Sequence, residues 1–279
     1  MSKGFLVVAE NNNNIDFIKM AYVLALSLKT TQTKVKNLSI ITTEKITTKK
    51  YLDIFDKVIV IDKDPNWKEK SNSIDTTSLC AKYYDVTPYD ETIVLDTDII
   101  FTKDISKWWD ILYDKDLIFT YNVKTFRNQE ATSDYYRKVF TKNSLPNLYT
   151  GLFYFKKSDI AEVFFTMTNT VFKDWEVFYE QLDKKYRPTS LSADLAYSIS
   201  YKLLGLPDYS YLPIPTFTHM KSQLQDIGKI EEEWTKHLSV TINNKMDIKI
   251  NNYSQKYPFH YHDKKFLTEE LIESYEKGI

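Results

Sequence analysis

The sequence predicts an α/β fold, a Rossmann-like mixed sheet with parallel strands in its first half and helices on both faces. Three observations carry this. Short β-branched and apolar runs alternate with amphipathic helical stretches through the first half of the chain. The run Thr92 to Leu95 is continuous rather than alternating, as in a strand buried on both faces. A length of 279 residues with 43% apolar content is enough to bury a substantial core.

In order, Phe5 to Ala9 reads as a strand, and Ile15 to Leu28 as a helix with Ile15, Ile18, Tyr22, Ala25 and Leu26 on one face. Leu38 to Thr42 is the second strand, Thr47 to Phe55 a helix and Val58 to Asp62 the third strand. Thr76 to Tyr84 reads as a helix closed by Pro88, and Thr92 to Leu95 as the buried central strand. Leu117 to Tyr121 and Leu152 to Phe155 are further strands, while Asp159 to Thr170, Trp175 to Lys185 and Ser192 to Leu204 are helical. Pro207, Pro213, Pro215 and Pro258 interrupt the C-terminal portion. No repeat or linker divides the chain, so residues 1–279 are expected to form one domain.

A net charge of -1 supplies no global field for nucleic acid or an anionic membrane. The single cysteine, Cys80, cannot form an internal disulfide, suits a reducing compartment, and is expected as a buried helix residue rather than a nucleophile. Phe5 to Ala9 is too short for a signal peptide and no later run approaches a membrane span, so a soluble, cytoplasmic protein is expected. Lysine far outweighs arginine, which occurs only at Arg127, Arg137 and Arg187; with abundant Asn, Ile and Tyr, this points to an AT-rich bacterial or phage genome.

The chemistry concentrates at Asp96-Thr97-Asp98, where the central strand ends. An open parallel sheet puts its ligand at the carboxyl ends of its strands. Two carboxylates at i and i+2 on an extended segment point the same way and reach one cation, and hard oxygen donors suit Mg²⁺ or Mn²⁺. The competing reading is an Asp that only caps the next turn. Apolar runs Ile93 to Leu95 and Ile99 to Phe101 flank the pair, and burying acids there is costly without a counter-charge. The chain has only five glycines, and after the first strand come Glu10 and four asparagines, so no glycine-rich loop cradles phosphate. If this fold handles a nucleotide diphosphate, a metal must do that work.

The segment Leu79-Cys80-Ala81-Lys82-Tyr83-Tyr84, then Pro88-Tyr89, Ile93-Val94-Leu95-Asp96-Thr97-Asp98-Ile99, Asp104-Ile105 and Trp108 closely resembles the glycogenin-like, family 8 glycosyltransferases of the GT-A fold. The resemblance is specific over Lys82 to Trp108. It implies transfer of a hexose or pentose from a nucleotide-diphosphate sugar with retention, and the acidic-to-neutral charge balance favours a saccharide or glycoconjugate as acceptor. Residues of about 1–125 would form the nucleotide-sugar half and about 126–279 the acceptor half. It further implies a basic donor contact at Lys82, otherwise a solvated helix lysine. Tyr149-Thr150-Gly151 stands where the family has Asn-Ala-Gly, which gives Gly151 the close approach of donor sugar to backbone; a plain bulge glycine is the alternative. Asp194-Leu195 matches an Asp-Gln helix start, so that Asp194 positions the sugar or serves as base; first-turn placement on the helix dipole is the alternative.

The late metal-binding histidine of the family falls best on His260 in Phe259-His260-Tyr261-His262-Asp263-Lys264-Lys265, with the family's glycine missing and the lysine spacing short. His262 and His219 remain the other candidates. The implied set is therefore Asp96, Asp98 and His260 for Mn²⁺ or Mg²⁺, Lys82, Asp96, Thr97, Gly151 and Lys264 for the donor, and Asp194 and Lys82 in catalysis. Acceptor contacts are expected over Phe126 to Lys142 and Thr216 to Trp234. Three readings compete: glycosylation of modified DNA bases through basic patches at Lys45, Lys49 and Lys50 or Lys264 and Lys265, a nucleotidyl- or phosphotransferase, and a noncatalytic sugar-binding module.

Overall fold

The computed structural model describes residues 1–62, 79–131, 137–220, 233–243 and 246–278. The expected helix start over 76–78, and parts of the two expected acceptor segments (132–136 and 221–232), lie outside the described residues. The main sheet contains Lys3–Val8 (β1), Leu38–Thr42 (β2), Val58–Val60 (β3), Glu91–Leu95 (β4), Leu117–Thr120 (β6) and Tyr149–Lys156 (β7), in the order β3-β2-β1-β4-β7-β6. The pairs β2–β3, β1–β2 and β1–β4 are parallel, and β7 runs antiparallel to both β4 and β6. This is the mixed, Rossmann-like sheet expected from the sequence. The second half of the chain does not stand apart, because β7 is inserted between β4 and β6.

Helices cover both faces. They are Phe17–Thr31 (α1), Lys49–Ile54 (α2), Tyr83–Val86 (α3), Ser106–Leu112 (α4), Lys138–Lys142 (α5), Asp159–Lys173 (α6), Trp175–Glu180 (α7), Ala193–Leu203 (α8) and Glu269–Lys277 (α9). Alternation along β1 divides the core: Phe5 and Val7 pack with α1, α4 and α9, while Leu6 and Val8 pack with α6 and α8. The first helix begins at Phe17 rather than Ile15 because Asp16 caps it, its Oδ1 accepting the Lys19 amide at 2.8 Å. All five residues of β4 are buried, as its unbroken apolar run requires.

Two small sheets complete the fold. Ile99–Ile100 (β5), Thr218–His219 (β8) and Phe259–His260 (β12) associate in the order β5-β12-β8, and Val240–Ile242 (β9), Ile248–Ile250 (β10) and Tyr253–Ser254 (β11) form the other. The first of these brings the distant end of the chain to the end of β4. Among the described residues, no helix is long and apolar enough to cross a membrane.

One contact in β1 tolerates no side chain. A Cβ on Gly4 would lie 2.3–2.5 Å from ring atoms of Tyr89. That ring is buried, and its hydroxyl lies 2.7 Å from Ser39 Oγ and donates to Asp56 Oδ2 at 3.0 Å, so it has no easy retreat. Gly4→Ala is therefore expected to destabilise by about 1–3 kcal/mol, the usual cost of overpacking. A denaturant midpoint equal to wild type would contradict this.

Candidate metal centre

The parallel ladder between β1 and β4 runs out at the Val7–Leu95 pair, and the Asp96 amide donates instead to the Gly151 carbonyl at 2.9 Å. Thr97 and Asp98 then form a turn before β5. The two acids are thus not carried on one extended pleat, as the i, i+2 argument supposed, because the chain must turn to enter the small sheet. The outcome for Asp96 and Asp98 is convergence all the same. Asp96 faces outward with a 49% exposed side chain, while Asp98 is 9% exposed and Thr97 is buried between them.

His260 arrives through strand pairing. It registers with Ile99 across the antiparallel β5–β12 pair, and the Tyr261 amide donates to the Asp98 carbonyl at 3.0 Å. Its Nε2 consequently lies 2.9 Å from Asp98 Oδ1 and 3.7 Å from Asp96 Oδ2. One ligand atom from each of Asp96, Asp98 and His260 lies within 4.8 Å of the others.

These residues fit a hard divalent ion. Adjacent ligands around a cation with bonds of about 2.1 Å sit roughly 3 Å apart, so 2.9 and 3.7 Å require only small closure. The backbone of β7 completes the cradle: a Cβ on Gly151 would lie 2.9 Å from Asp96 Oδ2 and 3.3 Å from His260 Cε1 and Nδ1. Gly151 also lies where the β6–β7 register shifts, next to the Phe119–Thr120 step, so the bulge and the close approach coexist. The atoms it leaves room for are those of Asp96 and His260.

Electrostatics distinguish the two acids. Burial alone would raise the Asp98 carboxyl, but the His260 charge and hydrogen bond, with Lys264, hold it well below the usual range. Lys264 Nζ is 2.6 Å from Asp98 Oδ2, and His262 Nδ1 is 3.8 Å away. Although half of its side chain faces solvent, the protein packed behind the Asp96 carboxyl, reinforced by Asp98 and Asp194 and only partly countered by His260, pushes it up to about 6. For His260, burial favours the neutral ring, yet the Asp98 charge and hydrogen bond raise it above its ordinary value.

All three candidate histidines meet here. His219 pairs in register with His260 on the parallel strands β8 and β12, and His262 follows in a left-handed turn with φ 54°. That turn delivers Lys264 to Asp98 despite the short spacing from His260. Of the three, His260 is the one grouped with both aspartates.

Asp194 occupies the first turn of α8, as dipole placement predicts, and is also clamped. Its Oδ1 accepts the Thr150 amide at 2.9 Å and the Thr150 hydroxyl at 2.6 Å, and its Oδ2 takes Arg137 Nη1 at 2.5 Å. Both oxygens are engaged, which favours positioning over proton abstraction. Arg137 is not singled out by the sequence; the available signal is that it is one of only three arginines in a chain that mostly uses lysine. Its guanidinium lies 4.0 Å from the Phe140 ring centroid and 3.9 Å from that of Tyr149, the residue standing in the asparagine position.

Lys82 caps the short α3, with its carbonyl accepting the Asp85 and Val86 amides, and is half-buried; its side chain makes no hydrogen bond or ion pair among the described residues. Burial pushes the neighbouring Cys80 thiol up to about 12, as expected of an inert residue.

No family model and no curated protein matches the chain. Among solved structures, mouse xyloside xylosyltransferase 1 in its apo form is similar over 82% of this chain and 91% of that one, at 13% identity and a TM-score of 0.48. Galactosyltransferase LgtC in complex with donor and acceptor sugar analogs is similar over 72% of this chain and 70% of that one, at 16% identity and a TM-score of 0.42. The apo-form glycosyltransferase GlyE of Streptococcus pneumoniae TIGR4 is similar over 73% and 44%, at 15% identity and a TM-score of 0.38.

Proposed function

We propose that this chain is a metal-dependent glycosyltransferase that moves a hexose or pentose from a nucleotide-diphosphate sugar to an acceptor hydroxyl, with retention. The observation that carries the reading is His260 Nε2 at 2.9 Å from Asp98 Oδ1 and 3.7 Å from Asp96 Oδ2, at the carboxyl end of the central strand. Asp96, Asp98 and His260 would hold Mn²⁺ or Mg²⁺, and the ion would supply Lewis-acid charge to the departing diphosphate.

The chain's own residues supply the rest. Lys264 stands beside Asp98 with an ammonium able to follow negative charge as it grows on the leaving group. Thr97 and the Gly151 backbone line the donor side, and Lys82 offers a further cation. Asp194, fixed by Arg137 and Thr150, orients the sugar. A saccharide or glycoconjugate acceptor is preferred to DNA because the candidate basic patches are partly neutralised: Lys50 pairs with Glu276, Lys265 with Glu233 and Lys264 with Asp98. A cytoplasmic location accords with a sequence that carries a single cysteine and so forms no disulfide of its own.

A thermal-shift screen of nucleotide sugars with Mn²⁺, followed by donor hydrolysis, tests the reading. Selective, Mn²⁺-dependent stabilisation is expected; none with any donor would end it. The same site predicts a pH dependence. Mn²⁺ must displace protons from Asp96, whose carboxyl is pushed above its ordinary range, and from His260, which holds its proton more tightly than usual. Affinity should therefore rise with pH through about 6 and level off above the His260 transition. Calorimetric titrations giving equal affinity at acid and neutral pH would contradict this.

A further inference from the structure

The three histidines form a donor set that the nucleotide-sugar reaction does not require. In a parallel pair, register partners project to the same face, so β8 and β12 present His219 and His260 side by side. The His260 and His262 rings stack with centroids 3.8 Å apart and planes 24° apart. His219 stands edge-on to both, 4.5 Å from His262 and 5.4 Å from His260. One ring nitrogen from each of the three lies within 4.8 Å of the others, a grouping distinct from Asp96, Asp98 and His260 that shares only His260 with it.

The two sets differ in chemistry. Carboxylate oxygens favour Mg²⁺ and Mn²⁺, whereas imidazole nitrogens favour borderline ions such as Zn²⁺, Co²⁺ and Ni²⁺. Three histidines with one open position are an established arrangement for zinc, whose nitrogen ligands sit about 2.0–2.1 Å from the metal. Imidazole lone pairs lie in the ring plane, so His260 and His262 must rotate out of their stack to converge on one ion, while His219 and His260 sit on paired backbone that fixes their origins.

We infer that His219, His260 and His262 form a second metal site for a borderline divalent ion of the Zn²⁺ class, competing with the oxygen-rich site for His260. The triad itself stands on its own geometry, while the competition rests on the Asp96–Asp98–His260 reading. A borderline ion in the triad withdraws one of the three ligands from the catalytic cation, so it would act as an inhibitor of transfer rather than as a substitute cofactor.

The test uses the full chain without nucleotide. Zn²⁺ and Mn²⁺ are titrated calorimetrically, and Co²⁺ by its visible absorption, into wild type, His219→Gln, His262→Gln and Asp96→Asn, each checked for its metal-free melting temperature. The histidine variants should weaken Zn²⁺ and Co²⁺ by roughly tenfold or more while leaving Mn²⁺ nearly unchanged. Asp96→Asn should do the reverse, and saturating Zn²⁺ should weaken Mn²⁺ binding to wild type. X-ray absorption at the zinc edge of wild type, which needs no variant, should count about three imidazoles. A single imidazole, or Zn²⁺ affinity lost in Asp96→Asn but not in the histidine variants, overturns the proposal. Zn²⁺ held by three imidazoles in a wild type that binds no Mn²⁺ supports the triad and instead refutes the oxygen-rich site.

Discussion

Asp98→Asn is expected to reduce sugar transfer by at least about 10³-fold in a protein that still folds, its melting temperature lowered because the charge no longer balances Lys264 and His260. Asparagine keeps the shape of the side chain and an oxygen to face His260 Nε2, so the turn after β4 and its tie to β12 should survive. What disappears is the charge. Asp98 is the acid on which Lys264, His260 and His262 all converge, and its carboxyl is held ionised by those neighbours once they outweigh its burial. A neutral amide there removes an anionic ligand from the cation and the counter-charge from Lys264. Asp96→Asn should follow the same course. The measurements are kcat/KM for donor hydrolysis with saturating Mn²⁺, together with a calorimetric Mn²⁺ titration. Wild-type turnover in a variant that no longer binds the ion would mean that the reaction does not use this centre.

What the sequence made legible was whatever local pattern controls. Leu38–Thr42 appears with both of its expected ends because Ile40, Ile41 and Thr42 are β-branched and only Ser39 interrupts an otherwise strand-forming run. Asp96 and Asp98 stood out because acids between two apolar runs need a partner. The helix Glu269–Lys277 was passed over although Thr268 caps it and Leu271, Ile272 and Tyr275 form its buried face. The two-residue strands β5, β8 and β12 were beyond reach, since a strand that short has no period. Yet they set the site: the His260–Asp98 contact joins residues 162 apart in sequence. Family resemblance suggested His260, but His219 reaches it only through the pairing of β8 with β12, and His262 stacks on it through a local left-handed turn. Arg137 was invisible for a similar reason, because its partners Asn147, Leu148 and Asp194 come together only in the fold.

That arginine supports the second large prediction. Arg137→Ala is expected to cost about 3–5 kcal/mol, the range for breaking a buried ion pair from one side, and to lower the melting temperature by roughly 10 °C. Arg137 is 6% exposed and Asp194 20%, so removing the guanidinium leaves a shielded carboxylate without its cation. It also strips a donor from the Leu148 carbonyl and from Asn147 Oδ1, and empties the space between the Phe140 and Tyr149 rings. Arg137→Lys should rescue little, because a single ammonium cannot fork to three acceptors while lying flat between two rings. The loss should reach the metal centre through a short path of hydrogen bonds and one peptide link. Asp194 fixes Thr150, Thr150 precedes Gly151, and the Gly151 carbonyl receives the Asp96 amide. Arg137→Ala assayed well below its melting temperature should therefore bind Mn²⁺ more weakly than wild type, and adding Asp194→Ala should cost less than the sum of the single changes. Full additivity in that cycle, with unchanged Mn²⁺ affinity, would separate the clamp from the centre and leave Asp194 as an ordinary first-turn acid.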